Sequence, residues 1–162
     1  MRYVSPTRFR ADCARFRLLA FITAACIVVA LGLASTVPIA RGTLAMSDPH
    51  FAADLVRLLP AACYVLGIVF VGQAVGRLAS GRPVQQTLAS ALRRIGVALA
   101  SGGVFNVFLV TNLERMILGT RGGYVFFDVG SMTLAVIGAA LVLLAHVVDQ
   151  AVLVQAELDE MF

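Results

Sequence analysis

The chain has 162 residues, of which 60% are hydrophobic and 14% are charged. A water-soluble domain is about half apolar, and the mean hydropathy here is +0.91. The formal net charge of +4 comes from thirteen basic residues, all arginine, against nine acidic ones. This composition excludes an ordinary soluble domain and indicates an integral membrane protein.

Four long apolar stretches follow one another along the chain. A helix needs roughly 20 apolar residues to cross a bilayer core about 30 Å thick, and each stretch is about that long. No segment between them is long enough to form a second core. We therefore predict one all-α domain, an integral membrane four-helix bundle over residues 1–162. The predicted spans are residues 18–40, 58–79, 95–113 and 129–153.

The arginines are distributed unequally between the two sides of these spans. Nine lie before the first span or between the second and third, and four lie in the other two connections. Cytoplasmic segments of membrane proteins carry an excess of Lys and Arg. The asymmetry therefore predicts that both termini and the middle connection face the cytoplasm. Together with the arginine-only usage, which a GC-rich bacterial genome favours, it indicates a multi-pass protein of the bacterial inner membrane.

The basic N-terminal segment runs directly into the first span. We expect it to orient that span rather than to bind DNA, which would require polar contacts from an ordered element. The apolar run over residues 18–33 is longer than the core of a typical signal peptide. The first span is therefore expected to be a retained helix.

The second span follows Ser47-Asp48-Pro49, which favours a helix start because Ser and Asp cap helices and Pro fits the first turn. A helix is predicted from about Pro49. Pro60 lies inside it and removes one backbone hydrogen bond, so a kink is expected. The polar residues in the first turns are His50, Asp54 and Arg57. We expect them to be solvated interface residues rather than a ligand site.

Small residues recur at helical spacing in the last three spans, where they let helix backbones approach closely in lipid. They are Gly72 and Gly76 in the second span, Gly96, Ala100 and Gly103 in the third, and Ala135 and Ala139 in the fourth. We expect them to pack helices within one chain. A homo-oligomer face is the alternative.

The middle connection, residues 80–94, is the best candidate for a working surface. Gly81-Arg82-Pro83 ends the second helix, and a new helix can begin at about Val84. That helix either lies in the membrane interface with its apolar face down or runs directly into the third span. Arg93 and Arg94 are expected at the membrane boundary in both cases.

The third and fourth spans carry a few polar residues. Asn106 is expected mid-membrane, where an asparagine usually forms a hydrogen bond with a neighbouring helix. Glu114 and Arg115 are adjacent in sequence, so they need not pair. His146 and Asp149 share a face near the cytoplasmic end of the fourth span. Asn106, His146 and Asp149 are the candidates for a polar pathway, and the fourth span is followed by an acidic tail, Glu157, Asp159 and Glu160.

Enzymatic chemistry has no positive support in the sequence. The three cysteines have no metal-ligand spacing, and two potential ligands on the fourth span are fewer than the three protein ligands of a catalytic zinc site. We find no nucleophile with a base and no nucleotide-binding motif. The sequence therefore predicts a non-enzymatic protein with no cofactor and no metal.

The second half of the chain resembles a bacterial membrane family known as domain of unknown function 2975. The matching motifs are Gly81-Arg82-Pro83, Leu92-Arg93-Arg94-Ile95-Gly96 and Ala156-Glu157-Leu158-Asp159-Glu160. Members of that family are often encoded beside a small helix-turn-helix regulator. The resemblance therefore implies a membrane partner for a cytoplasmic transcription factor.

The docking surface for such a partner would be the middle connection and the acidic tail, because both are predicted to be cytoplasmic. Their charges could attract complementary charges on the partner. The residues concerned are Arg82, Arg93, Arg94, Glu157, Asp159 and Glu160. The main alternative is a small transporter or channel subunit, and an assembly or lipid-binding factor is a third possibility. Direct contact with nucleic acid is not expected.

Overall fold

A computed structural model describes residues 6–42, 49–79, 84–119 and 127–160. Its helices are α1, Pro6–Ala40; α2, Pro49–Ala79; α3, Val84–Val104; α4, Thr111–Leu118; and α5, Val129–Glu160. A π-helical segment, Phe105–Val110, joins α3 to α4, so the three together form the third long helix. The protein is therefore all-α with four long helices, as predicted.

Each long helix contains a stretch that is long and apolar enough to cross a membrane. The four stretches are Ala11–Val37, Pro49–Leu78, Thr87–Leu118 and Val129–Val154. Apolar residues cover all sides of α1 and α2 rather than a single stripe, which is typical of helices surrounded by lipid or protein. The chain is a multi-pass membrane protein.

Helix boundaries confirm several sequence predictions. α2 begins at Pro49 and contains Pro60, while α3 begins at Val84. α3 continues without a break through Arg93 and Arg94 into the third span. The separate helix lying in the interface, which the sequence left open, is therefore not formed, and α3 runs directly into the membrane.

Over the described residues, the long helices form an open row in which each one contacts only its neighbours in the chain. α1 contacts α2, the third long helix contacts α2 and α5, and among the described residues neither α1 nor α2 contacts α5. α3 is therefore the central helix, with α2 on one flank and α5 on the other. The remaining helix surface exposes many large apolar side chains, such as Leu18, Val29 and Leu143.

Glycines allow the closest helix contacts. A Cβ at Gly96 would meet Gly138 O and Val142, and a Cβ at Gly103 would meet Ser131 and Ala135. The backbones of α3 and α5 approach so closely there that side chains larger than hydrogen do not fit. Gly138 is the central contact on α5, whereas the predicted Ala139 is exposed. Placing Ala139 in this contact was therefore wrong by one position.

The other predicted packing pair, Gly72 and Gly76, joins α2 to α1. A Cβ at Gly72 would lie 3.4 Å from Ala20 and one at Gly76 would lie 3.2 Å from the Arg17 side chain. The Arg17 guanidinium also lies 5.7 Å from the centre of the Phe21 ring, a cation–π distance. The predicted glycines therefore pack helices within one chain.

Candidate functional site

A cluster of three polar residues links the third long helix to the start of α5. Asp128 caps α5, because its carboxylate accepts hydrogen bonds from the Gly130 and Ser131 backbone N–H groups at 3.2 and 3.1 Å. The Ser131 hydroxyl donates to the same carboxylate. Asn106 Nδ2 donates to Asp128 Oδ2 at 3.3 Å and to Ser131 Oγ. One carboxylate therefore ends a helix and joins it to its neighbour.

These hydrogen bonds favour the ionised form of Asp128. The Ser131 hydroxyl contributes most, followed by the Ser131 N–H, with smaller contributions from Gly130 and Asn106, and together they outweigh desolvation and lower the pKa of the carboxyl. Donors that stabilise a carboxylate lower its pKa in this way. The cluster is therefore anionic at neutral pH and is fully occupied by its own donors.

The structure confirms that Asn106 forms a hydrogen bond with a neighbouring helix. Its partners Asp128 and Ser131 lie at the beginning of the Val129–Val154 span. Asn106 itself lies 12 residues before the end of the Thr87–Leu118 span, so its depth in the membrane stays a prediction. Asn106 also lies inside the π-helical segment, which the sequence did not predict, and such segments are frequent at functional sites.

An ion pair between α2 and α4 was missed by sequence reasoning. Arg57 Nε and Nη2 donate to the two carboxylate oxygens of Glu114, the second at 3.3 Å. Asp54 lies 3.9 Å from the same guanidinium. Arg57 is exposed over 64% of its side chain, as predicted for a solvated interface residue, and it also makes a two-point contact with another helix. The opposite charges of Arg57 and Glu114 were the only available signal.

A groove lies between α2 and α5, with α3 as its floor. Its volume is about 700 Å³, and its lining includes Leu66 and Phe70 of α2, Val97 of α3 and Asp149 of α5. Arg93 and Arg94 lie on its floor, and we call this feature the arginine groove. It exists because α2 and α5 are held apart on opposite flanks of α3.

The predicted docking residues fall into two groups. Arg93 and Arg94 are exposed and belong to the arginine groove. Arg82 lies outside the described residues. Glu157, Asp159 and Glu160 belong to the last turns of α5, and their side chains lie outside the described part of the structure.

The structure does not bring the three candidates for a polar pathway together. Asn106 binds Ser131, and Asp149 follows Ser131 by 18 residues, about 27 Å along a helix. His146 is exposed on α5, and Asp149 lines the arginine groove. Among the described residues, no three His, Cys, Asp or Glu side chains are grouped so that they could hold a metal ion.

Comparison of the chain with protein-family models, with curated proteins and with solved structures gave no match. The resemblance to domain of unknown function 2975 therefore stays a prediction.

Proposed function

We propose that the protein is a non-enzymatic regulatory component of the bacterial inner membrane that binds a cytoplasmic helix-turn-helix transcription factor. The proposal takes the arginine-rich side as cytoplasmic. The observation that carries the proposal concerns one end of the molecule. There Arg93 and Arg94 are exposed, and α5 continues beyond its apolar stretch, which ends at Val154. This end combines two cationic side chains with the acidic sequence at the end of α5.

The geometry supports docking at this end for two reasons. Asp149 lines the same groove as Arg93 and Arg94, so the part of α5 that precedes the acidic tail lies beside the two arginines. α5 runs to Glu160, six residues beyond the end of its apolar stretch at Val154, which is about 9 Å of helix. A partner can therefore contact α3 and the α5 extension at once, and charge complementarity would orient it.

Co-purification in mild detergent with the product of the neighbouring gene tests this function. Reversing charge at Arg93, Arg94, Glu157 and Asp159 should weaken recovery of the regulator, and high salt should weaken it further, because salt screens exposed charges. Arg41→Glu is the matched control. Arg41 directly follows the last residue of α1, on the side of the membrane opposite to the proposed docking surface, so the change should not affect recovery of the regulator. Recovery of the membrane protein alone, unaffected by the reversals, would contradict the proposal.

The proposed orientation has its own test. Tags at both ends of the intact protein should remain unreactive toward an impermeant reagent on whole cells and react after the membrane is opened. Reaction of both tags on whole cells would place these ends outside and remove the docking surface from the cytoplasm.

The alternative function is a small transporter or channel subunit. The separation of Asn106 from Asp149 by about 27 Å of helix, without a described polar chain between them, favours the regulatory function. Flux through liposomes that disappears in Asn106→Ala would reverse this order.

A further inference from the structure

The arginine groove has a different chemistry at its centre and at its end. Leu66 and Val97 line it with 51% and 54% of their surfaces exposed, so an apolar surface is available inside the groove. Because α2 and α5 make no contact with each other among the described residues, the groove opens sideways toward the surrounding lipid. Its natural occupant must therefore be apolar over most of its length.

The charged end of the groove has more cationic than anionic side chains. Arg93 and Arg94 are both exposed, and within the described part of the chain neither forms a hydrogen bond or an ion pair. Asp149 on the opposite wall provides the single acidic side chain of the lining. Two arginines against one aspartate leave this end cationic, and cationic groups near a membrane surface attract anionic headgroups.

The dimensions of the groove fit a chain-like ligand. Its floor extends on α3 from Ala89 to Ser101, which is about 18 Å of helix. A volume of about 700 Å³ lies in the range of ordinary small-molecule sites. Arg94 lies seven residues, about 10 Å of helix, from Ser101, so the part of an acyl chain nearest its headgroup can lie along the groove with the headgroup at Arg93 and Arg94.

We propose that the arginine groove binds one anionic phospholipid, with its acyl chain along Leu66, Phe70 and Val97 and its phosphate held by Arg93 and Arg94. A second copy is disfavoured as the occupant, because a symmetric contact brings the same patch of both chains together and would add two more arginines. A choline headgroup is disfavoured because it carries a positive charge of its own. This site depends only on membrane insertion, but the proposed regulator is placed on the same two arginines, so lipid and regulator would compete for them.

The absence of tryptophan from the chain permits a direct test. Leu66→Trp places a single tryptophan in the groove, and the protein is reconstituted into vesicles containing either phosphatidylglycerol or phosphatidylcholine with brominated acyl chains. Bromine quenches tryptophan only on contact, so the quenching ratio reports local lipid preference. We expect about a fivefold preference for phosphatidylglycerol, the effect of one arginine at a membrane surface.

Val28→Trp is the matched control. Val28 is exposed on α1, outside the groove, and it lies 11 residues from Arg17, just as Leu66 lies 11 residues from Arg77. Because Arg17 contacts Gly76, the two tryptophans are at similar depth. The control should show a preference near one. Equal ratios at the two positions would overturn the proposal, and so would a groove tryptophan that neither lipid quenches, since a second copy would then cover it.

Charge variants locate the preference within the groove. Arg93→Gln combined with Arg94→Gln should lower the ratio at Leu66→Trp to the control value, whereas Arg15→Gln on α1 should leave it unchanged. Asp149→Asn should raise the ratio, because it removes the anion that competes for the arginines. A misfolded protein cannot produce this gain. A ratio insensitive to both the arginine and the aspartate changes would refute the assignment.

Discussion

Asp128 connects two helices because one carboxylate accepts hydrogen bonds from both. It caps α5 through the Gly130 and Ser131 N–H groups and also accepts from Asn106 on the third long helix. A carboxylate at a helix N-terminus is further favoured by the helix dipole. At the residue scale, therefore, the charge of one side chain both caps the start of α5 and ties it to the third long helix.

This charge should make stability depend on pH. The lowered pKa of Asp128, relative to its ordinary value of 3.8, means that its contribution is present above that value and is lost as the pH falls through the folded-state pKa. We therefore expect the Tm in detergent to fall as the pH drops below the ordinary value of 3.8, and to fall less in Asp128→Asn, which retains a capping side chain. Identical pH profiles for the two proteins would contradict this.

The Arg57–Glu114 pair should contribute modestly to stability. The Arg57 side chain is 64% exposed and Glu114 is 20% exposed, so solvent screens much of the attraction. A double-mutant cycle with Arg57→Gln and Glu114→Gln should give a coupling free energy of about 0.5–1 kcal/mol. The cycle of Arg57→Gln with Asp54→Asn, which makes only a 3.9 Å contact, is the control and should give less. Equal couplings would argue against the two-point geometry.

At the scale of elements, the packing of α3 on α5 depends on glycines, which have only a hydrogen atom in place of a side chain. A Cβ at Gly138 would overlap the Ala100 backbone nitrogen and Gly96 O. Because backbone atoms on both sides cannot move as a flexible side chain can, the overlap must separate the helices. The adjacent Ala139 points away and is exposed, which makes it a natural control.

Gly138→Val should therefore destabilise the protein strongly, by about 2–3 kcal/mol, the usual cost of overfilling a packed contact. Ala139→Val should change the free energy of unfolding by less than about 0.5 kcal/mol. Reversible unfolding in mixed micelles measures both. Similar losses in the two variants would show that the contact does not lie on the Gly138 face.

At the scale of the whole molecule, charged residues mark the length of two helices. Arg57 and Arg77 on α2 are 20 residues apart, and so are Arg94 and Glu114 on the third long helix. Twenty helical residues span about 30 Å, the thickness of a bilayer core. The marks also match in space, because Arg57 contacts Glu114 while Arg77 and Arg94 line one small cleft.

Stability should therefore be greatest in bilayers with a hydrocarbon core of about 30 Å. A thicker bilayer would bury the charged residues, and a thinner one would have to deform to cover the apolar surface between them. The Tm should therefore fall on both sides of this thickness. Reconstitution into phosphatidylcholines of increasing acyl length measures the dependence. A Tm that rises steadily with thickness would contradict the inference that these charged residues lie at the two boundaries of the bilayer core.

The open row explains which predictions could be made from sequence. Residues such as Leu18 and Val28 identify spans by composition alone, because lipid contacts them wherever the helices lie. Gly96 and Gly103 identify packing faces, because small residues permit close approach in any arrangement. That Gly138 rather than Ala139 faces α3 depends on the rotation of α5 about its own axis, which no local sequence pattern specifies.

By itself, the sequence determined the four membrane helices, the starts at Pro49 and Val84, and the packing role of the glycines. Each of these depends on local solvation or backbone chemistry. Only the tertiary structure decided that α2 and α5 lie on opposite flanks of α3, and that Arg57 meets Glu114 and Asn106 meets Asp128. Those contacts join residues 57 and 22 positions apart, and only the packed arrangement of the helices brings such residues together.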